Sequence, residues 1–280
     1  MEKYLRAFLT KRGLNDSRIL LSIYERFLAI KYRKQWYRPV TFRGSTFIVG
    51  KDYSIFPSLY HGQFEQQELE VVLKLSLPDK PIIWDVGANI GIYSILLGIK
   101  FPEASILAFE PNDKVAKLLQ DNICRNSVRN VTLRREALSD NRRLDTLNVN
   151  SLKPGTGRIG NMQKKRFDLQ NIQTVDGDAL ISEGHKPPNF IKIDTEGHEP
   201  KVLAGLKSCI TESKPIVMME VYPMLWDSEE MQLWQDTLNF MFSIYDTALS
   251  ISRRGVVVIE QMNTQDLDKG LVTLIFGIHD

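Results

Sequence analysis

The chain has 280 residues, 43% hydrophobic and 25% charged, with a formal charge of +2 at neutral pH. That is ordinary for a globular chain holding one large α/β domain or two small ones, and the charge is too small to point to nucleic acid or an anionic membrane as partner. Two cysteines, Cys124 and Cys209, cannot build a disulfide framework and lack metal-ligand spacing, so they read as free thiols in a reducing compartment.

The start, MEKYLRAFLTKRGLND, carries charges throughout and has no apolar signal region. No apolar run approaches the ~18 residues of a membrane span, so a cytoplasmic protein is the expectation. Residues 1–38 read as helical, with Ile19, Leu20, Ile23, Phe27 and Ile30 at three-to-four spacing. A basic cluster follows, Lys31, Arg33, Lys34, Arg38 and Arg43, interleaved with Tyr32, Trp36 and Tyr37. It can grip phosphates, but a solvated helix face running into a loop is the commoner meaning. TFRGSTFIVG predicts a hairpin, and FEQQELEVVLKLSL an amphipathic helix ending before Pro78.

From residue 81 strands alternate with helices, as in a parallel sheet covered on both faces. PIIWDV is a strand and GIYSILLGIKF a helix. ASILAFE is the next strand, and NDKVAKLLQDNICRN its helix with Asn112 or Asp113 as cap. VTLRREAL makes a third strand. The polar stretch 139–172 has no helical period, and its KPGTGRIGN core suggests a loop or hairpin inserted over the sheet. NFIKID, EPKVLAGLKSCI and PIVMMEV then read as strand, helix and strand, and DSEEMQLWQDTLNFM as a helix. FSIYDTALSI, GVVVIEQ and LVTLIFGI add two or three strands.

Open parallel sheets bind ligands at the carboxyl ends of their strands, near the point where strand order reverses. Asp85 and the GANIG turn fall at such an end, where Gly87 and Gly91 allow a tight turn and let a ligand lie on bare backbone. The order D-x-G-x-x-x-G is not the G-x-G-x-x-G of dinucleotide sites, and the Asp would repel a phosphate. A dehydrogenase fails on that spacing. Glu110 ends the next strand, where nucleoside-binding folds place an acid that accepts hydrogen bonds from ribose hydroxyls. A lone acid at a strand end more often caps or is solvated, but the glycine turn beside it reverses the balance. A ribose, a cation and no pyrophosphate describe S-adenosylmethionine.

A third group lies in FIKIDTEGHEPKVLAG, where Asp194 ends an apolar strand and Glu196, His198 and Glu199 crowd the turn after it. Glu199 with Pro200 can simply begin a helix well, which leaves Asp194, Glu196 and His198 without a packing role. A histidine among carboxylates that raise its pKa is a credible general base. MMEVYP adds Glu220 at the end of the following strand.

IIWDVGANIGIYS together with FIKIDTEGHEPKVLAG resembles the FkbM family of S-adenosylmethionine-dependent methyltransferases, and YHGQFEQQE, EALSD and MEVYP also look like that family's pattern. The resemblance spans residues 44–225; TVDGDALI departs from it. It implies an α/β class I methyltransferase (Rossmann-like) fold: a mostly parallel seven-stranded sheet, one antiparallel strand near its edge, and helices on both faces. Residues 1–60 would form an N-terminal extension and 61–280 the methyltransferase domain. It also implies O-methylation of a hydroxyl on a sugar, glycan or glycosylated natural product. In this reading Asp85, Gly87, Asn89 and Gly91 surround the methionine and ribose portions of the donor, Glu110 takes the ribose hydroxyls, and Leu138 borders the adenine. Asp194 sits near the methionine ammonium or the acceptor, His198 is the preferred base, and Glu196 orients it. Asp194 is itself an alternative base, or a metal ligand with Glu196 and Glu220, although no metal site is assigned. An RNA ribose methyltransferase using IKYRKQWYRP on phosphates, and a non-catalytic binding protein of the same fold, are the alternatives.

Overall fold

Short apolar runs without polar alternation call for strands buried on both faces. The computed structural model, which describes residues 27, 30–32, 34–52, 55–150, 153–160, 167–222, 228–252, 255–262 and 271–278, builds its main sheet from such runs. Most of the N-terminal helix expected over residues 1–38, Arg33 of the basic cluster and Pro223 of MEVYP lie outside the described residues.

The expected hairpin is present as β1 (Val40–Phe42) and β2 (Ser45–Phe47), joined through Arg43 and Gly44 at φ 46° and 80°. Two successive left-handed residues match the twist of a tight hairpin. Helices α1 (Phe56–Tyr60) and α2 (Gln66–Val72) follow; the sequence signalled only the second. Tyr32 and Trp36 are buried against this region, so two of the three aromatics of the basic cluster are core and not stacking platforms, while Tyr37 is exposed.

Next come β3 (Ile82–Val86), α3 (Ile92–Lys100), β4 (Ser105–Phe109), α4 (Asp113–Arg125) and β5 (Val131–Arg134). Asn112 caps α4 by accepting from the Lys114 N–H. The chain then leaves the sheet through β6 (Ala137–Ser139), β7 (Arg143–Asn150), β8 (Lys153–Ile159) and β9 (Phe167–Asp176). It returns through α5 (Gly177–Ser182), β10 (Phe190–Ile193), α6 (Glu199–Ala204), α7 (Lys207–Ser213) and β11 (Ile216–Val221). Helix α8 (Ser228–Ile244) and strands β12 (Ala248–Ser252), β13 (Gly255–Ile259) and β14 (Val272–Phe276) complete it.

The main sheet has eight strands in the order β13-β12-β14-β11-β10-β3-β4-β5. Strands β5, β4, β3, β10 and β11 are parallel, and β14 runs antiparallel to both of its neighbours. This is the mostly parallel arrangement with one reversed strand near the edge, extended by β13 as an eighth, antiparallel edge strand. Alternate residues feed two apolar layers. Ile83, Ile106, Ala108 and Phe190 face α3, α4 and the N-terminal segment, while Trp84, Phe109, Ile191 and Val217 face α6, α7 and α8. Strand order reverses between β3 and β10, so a cleft opens at their carboxyl ends.

Three segments differ from expectation. VTLRREAL is not one strand: β5 ends at the sheet edge, and the buried Ala137–Leu138–Ser139 run pairs with β9 instead. The polar stretch is a four-stranded sheet of order β6-β9-β7-β8, built around the expected hairpin. EPKVLAGLKSCI breaks into α6 and α7 at Gly205, whose carbonyl accepts from the Asp178 N–H at 2.8 Å, while the Asp178 carboxylate accepts from the Ser208 and Cys209 N–H groups that open α7. A Cβ at Gly205 would stand 1.9 Å from the Ser139 carbonyl oxygen of β6.

Candidate active site

The turn after β3 builds the floor of the cleft. Gly87, Asn89 and Gly91 all take left-handed backbone, at φ 76°, 52° and 88°. Asparagine tolerates this region and glycine adopts it freely. The Gly87 and Ala88 N–H groups donate to the Phe109 carbonyl at 3.0 and 2.9 Å, tying the turn to β4. A side chain at Gly87 would put Cβ 1.8 Å from the Asp194 carbonyl oxygen, so β3 and β10 meet here backbone to backbone.

Asp85 lies beneath this floor. Its Oδ2 accepts from the Ser94 N–H at 3.0 Å and the Ser94 hydroxyl at 2.5 Å, which anchors the first turn of α3. Its carboxyl is buried and pushed above the usual range by that burial. Asp85 and Gly91, expected around the donor, do not line the cleft; Gly91 instead admits Leu119, whose Cδ1 lies 2.2 Å from where a Cβ would be.

Glu110 forms one wall. Its Oε2 accepts from the Asn89 N–H and its Oε1 from the Asn112 N–H, each at 2.9 Å. Burial pushes its pKa to about 7, against the two N–H groups and the Lys192 charge that lower it. Beside it Phe109, Ala137, Leu138, Leu147 and Ile159 make an apolar wall. Strand β8 closes the top: Pro154 accepts from the Asn112 amide at 2.9 Å, and the Gly155 N–H donates to Asp52 at 3.1 Å. Gly155 and Gly157 both line the cleft.

The opposite wall is the DTEGHE turn. Glu199 is buried and accepts from the Thr195 and Gly197 N–H groups at 2.7 and 3.2 Å, so it folds the turn and faces no ligand. Glu196, in left-handed backbone at φ 57°, accepts through its carbonyl from Arg158 Nε at 2.7 Å. Its carboxyl is driven to about 8, first by burial and then by Asp194 and Glu199. Asp194 Oδ2 accepts from Lys192 Nζ at 3.0 Å. Beyond them Glu65 accepts from the Tyr93 hydroxyl at 2.6 Å and titrates near 7, chiefly from burial and next from Asp194. Glu220 is raised well above its ordinary value by burial and by Asp194, Glu65 and Glu196.

His198 departs from expectation. It is 7% exposed at the mouth of α6, with Nε2 2.9 Å from the Ser139 hydroxyl. Burial, then the Lys201 charge, lowers its pKa to about 4, where carboxylates were expected to raise it. Asp140 and Asp145 act in the expected direction but are outweighed.

The cleft therefore brings together Gly87, Asn89, Glu110, Leu138, Asp194 and Glu196, with His198 at its edge. Sequence reasoning missed Lys192, Glu65 and Arg158. A lysine inside the apolar run FIKID was the one visible signal among these, since buried lysines need a reason. Among the described residues no group of acids, histidines or cysteines is arranged to hold a metal ion, and no helix is long and apolar enough to cross a membrane.

Known proteins resemble this chain in sequence. Residues 85–246 match the model of the family described as the methyltransferase FkbM domain. The hexuronic acid methyltransferase AglP of Haloferax volcanii is 30% identical over 160 residues, 56% of this chain and 62% of AglP. Methyltransferase 1 of Beauveria bassiana is 27% identical over 152 residues, 46% of this chain and 59% of that protein. The chain thus spans less than two thirds of the length of these curated relatives. A solved structure of the methyltransferase FkbM from Methylobacillus flagellatus covers 80% of this chain and 53% of its own, at 21% identity and a TM-score of 0.47.

Proposed function

The chain belongs to the FkbM methyltransferase family, and from that premise we propose that it transfers a methyl group from S-adenosylmethionine to a hydroxyl oxygen of a sugar, glycan or glycosylated natural product. The observation that carries the reading is Glu110, a carboxylate held by two backbone N–H groups on the wall of the cleft that also holds Asp194 and Glu196.

The residues fit such a donor. Each Glu110 oxygen spends one lone pair on an N–H and keeps another for a vicinal hydroxyl pair. The apolar wall around Leu138 suits the flat face of a purine, and Asp194 suits an ammonium. Gly87 and Asn89 leave the turn open enough for the chain between them. Bound there, the donor supplies a methyl carbon already activated by its positive sulfur.

The protein's own work is to position, exclude water and remove a proton. Strand β8 over the cleft keeps water out, and the turn and Glu110 fix the donor's orientation. The acceptor hydroxyl must lose its proton to a base within hydrogen-bond reach. Glu196, titrating near 8, is a stronger base than an ordinary carboxylate; about one tenth of it is ionised at neutral pH and the share grows as pH rises. His198 is paired with Ser139 and titrates near 4, so its role is to hold the turn against β6. The name of AglP supports a sugar acceptor.

The test is methyl transfer from labelled S-adenosylmethionine to methyl glycosides of neutral, amino and uronic sugars and to a short RNA, with S-adenosylhomocysteine binding followed by thermal shift. Label on a sugar oxygen is the expected result. Label on RNA alone, or no thermal shift with S-adenosylhomocysteine, overturns the reading.

A further inference from the structure

Lys192 is a charged side chain, 4% exposed, in a strand whose four residues are all buried. Taking an ammonium out of water costs several kcal/mol unless close partners offset it. Its register partner on β3 is Asp85, yet the ammonium does not pair closely there: Nζ is 3.9 Å from Asp85 Oδ1, an oxygen left without a hydrogen bond. It reaches to the strand end instead, donating to Asp194 Oδ2 at 3.0 Å and to the Gly87 carbonyl at 3.4 Å, and lies 5.1 Å from the centre of the Tyr93 ring. A lysine kept only to neutralise Asp85 has no need of the donor turn or of Asp194.

We infer that Lys192 is a positioning residue of methyl transfer: its ammonium ties the Gly87 carbonyl of the donor turn to the Asp194 carboxylate and so sets the walls between which the methionine end of the donor lies. This rests on the donor site proposed above. The titratable groups that face the ammonium are Asp85 on β3, Tyr93 on α3, Glu65 at the start of α2, Asp194 beyond β10, Glu220 on β11 and Glu110 across the cleft. Its charge lowers the proton affinity of Glu110, Asp85, Glu65 and Glu220. Behind burial and the Asn112 and Asn89 N–H groups, Lys192 thereby also helps Glu110 to become a carboxylate able to accept hydroxyls.

Calorimetric titration of S-adenosylhomocysteine into the full chain, between about pH 5.5 and 9.5 so as to span the Glu110 titration, tests this. Wild-type affinity should fall as pH drops through about 7. Lys192→Met is close in volume but leaves Asp85 and Asp194 without their ammonium, so it should cost stability, and its folding is checked first by urea unfolding. It should bind about tenfold more weakly even at pH 9.5, where Glu110 is ionised in both proteins, a loss that a lysine acting only on the charge of Glu110 would not produce, and its affinity midpoint should move up. If that variant fails to fold, Asp85→Asn combined with Lys192→Met removes the buried pair together and is read the same way. A folded variant with wild-type affinity and an unmoved midpoint overturns the inference. A wild-type protein that does not bind S-adenosylhomocysteine removes the donor site itself, and the inference with it.

Discussion

Two residues apart in one turn, Glu196 is half-buried and His198 buried, and the loss of surrounding water moves them oppositely. It disfavours whichever form is charged, so the carboxyl rises to about 8 and the imidazole falls to about 4. The consequence is a division of labour that kinetics can read. Glu196→Gln should lower kcat by ~10²–10⁴, the usual contribution of a positioned base, with S-adenosylhomocysteine affinity within a few fold. The wild-type rate should climb as pH rises through about 8, because ionised Glu196 is the form that takes the proton, and that limb should vanish in the variant. His198→Ala should instead lose stability, by about 1–3 kcal/mol for a buried hydrogen bond to Ser139 left unmade, while the folded fraction keeps kcat within about tenfold. A His198→Ala protein of normal stability and no activity would return the base to the histidine.

At the scale of elements, what the sequence revealed followed how far each segment's burial is a local affair. PIIWDV, ASILAFE and NFIKID are buried on both faces, so continuous apolar runs betray them, and Asn112 announces the start of α4 by its own hydrogen bond. Strands β7 and β9 are different. Only Leu147, Val149 and Ile172 form their small core, and polar residues on the other face blur the alternation. The break between α6 and α7 was equally hidden, since Gly205 sits at an ordinary φ of −77° and its partners, Asp178 and Ser139, are distant in the chain. Of the cleft, Glu110, Gly87 and the DTEGHE turn were legible because acids set together with a glycine turn at neighbouring strand ends are rarer than the lone acid that caps or is solvated. The role of Asp85 was not, because its partner Ser94 lies nine residues on, within an apolar helix. Gly205 supplies the test at this scale. Gly205→Ala in a free helix would be neutral or stabilising. Here the Cβ would stand 1.9 Å from backbone oxygen, so the prediction is a loss of more than about 2 kcal/mol in urea unfolding, with α6 pushed off β6. An unchanged urea midpoint would mean that the contact yields easily.

Across the whole molecule, the cleft makes stability depend on pH in a direction opposite to that of most proteins. Glu65 and Glu110 titrate near 7 and Glu196 near 8, all above the ordinary 4.5, and Glu220 and Glu199 are raised as well. A carboxyl whose folded pKa is raised binds its proton more tightly in the native state. Its stabilising contribution is full below the unfolded value and is lost as pH rises through the folded one, here from about 4.5 to 8. His198 works the other way: depressed from 6.5 to about 4, its contribution is full above 6.5 and lost as pH falls toward 4. Between these limits several carboxyls oppose one imidazole, so the carboxyls set the slope. The urea midpoint should therefore be higher near pH 5.5 than near pH 8.5 in the ligand-free protein. Saturating S-adenosylhomocysteine should flatten that slope, because it selects the ionised form of Glu110 and adds binding energy where the free protein is weakest. Unfolding curves at several pH values, with and without the ligand, check both parts. A ligand-free protein that grows more stable from pH 5.5 to 8.5 would show that the carboxylates are already ionised when the cleft is empty, and with that the neutral titration of Glu110 and the basic strength assigned to Glu196 would both fall.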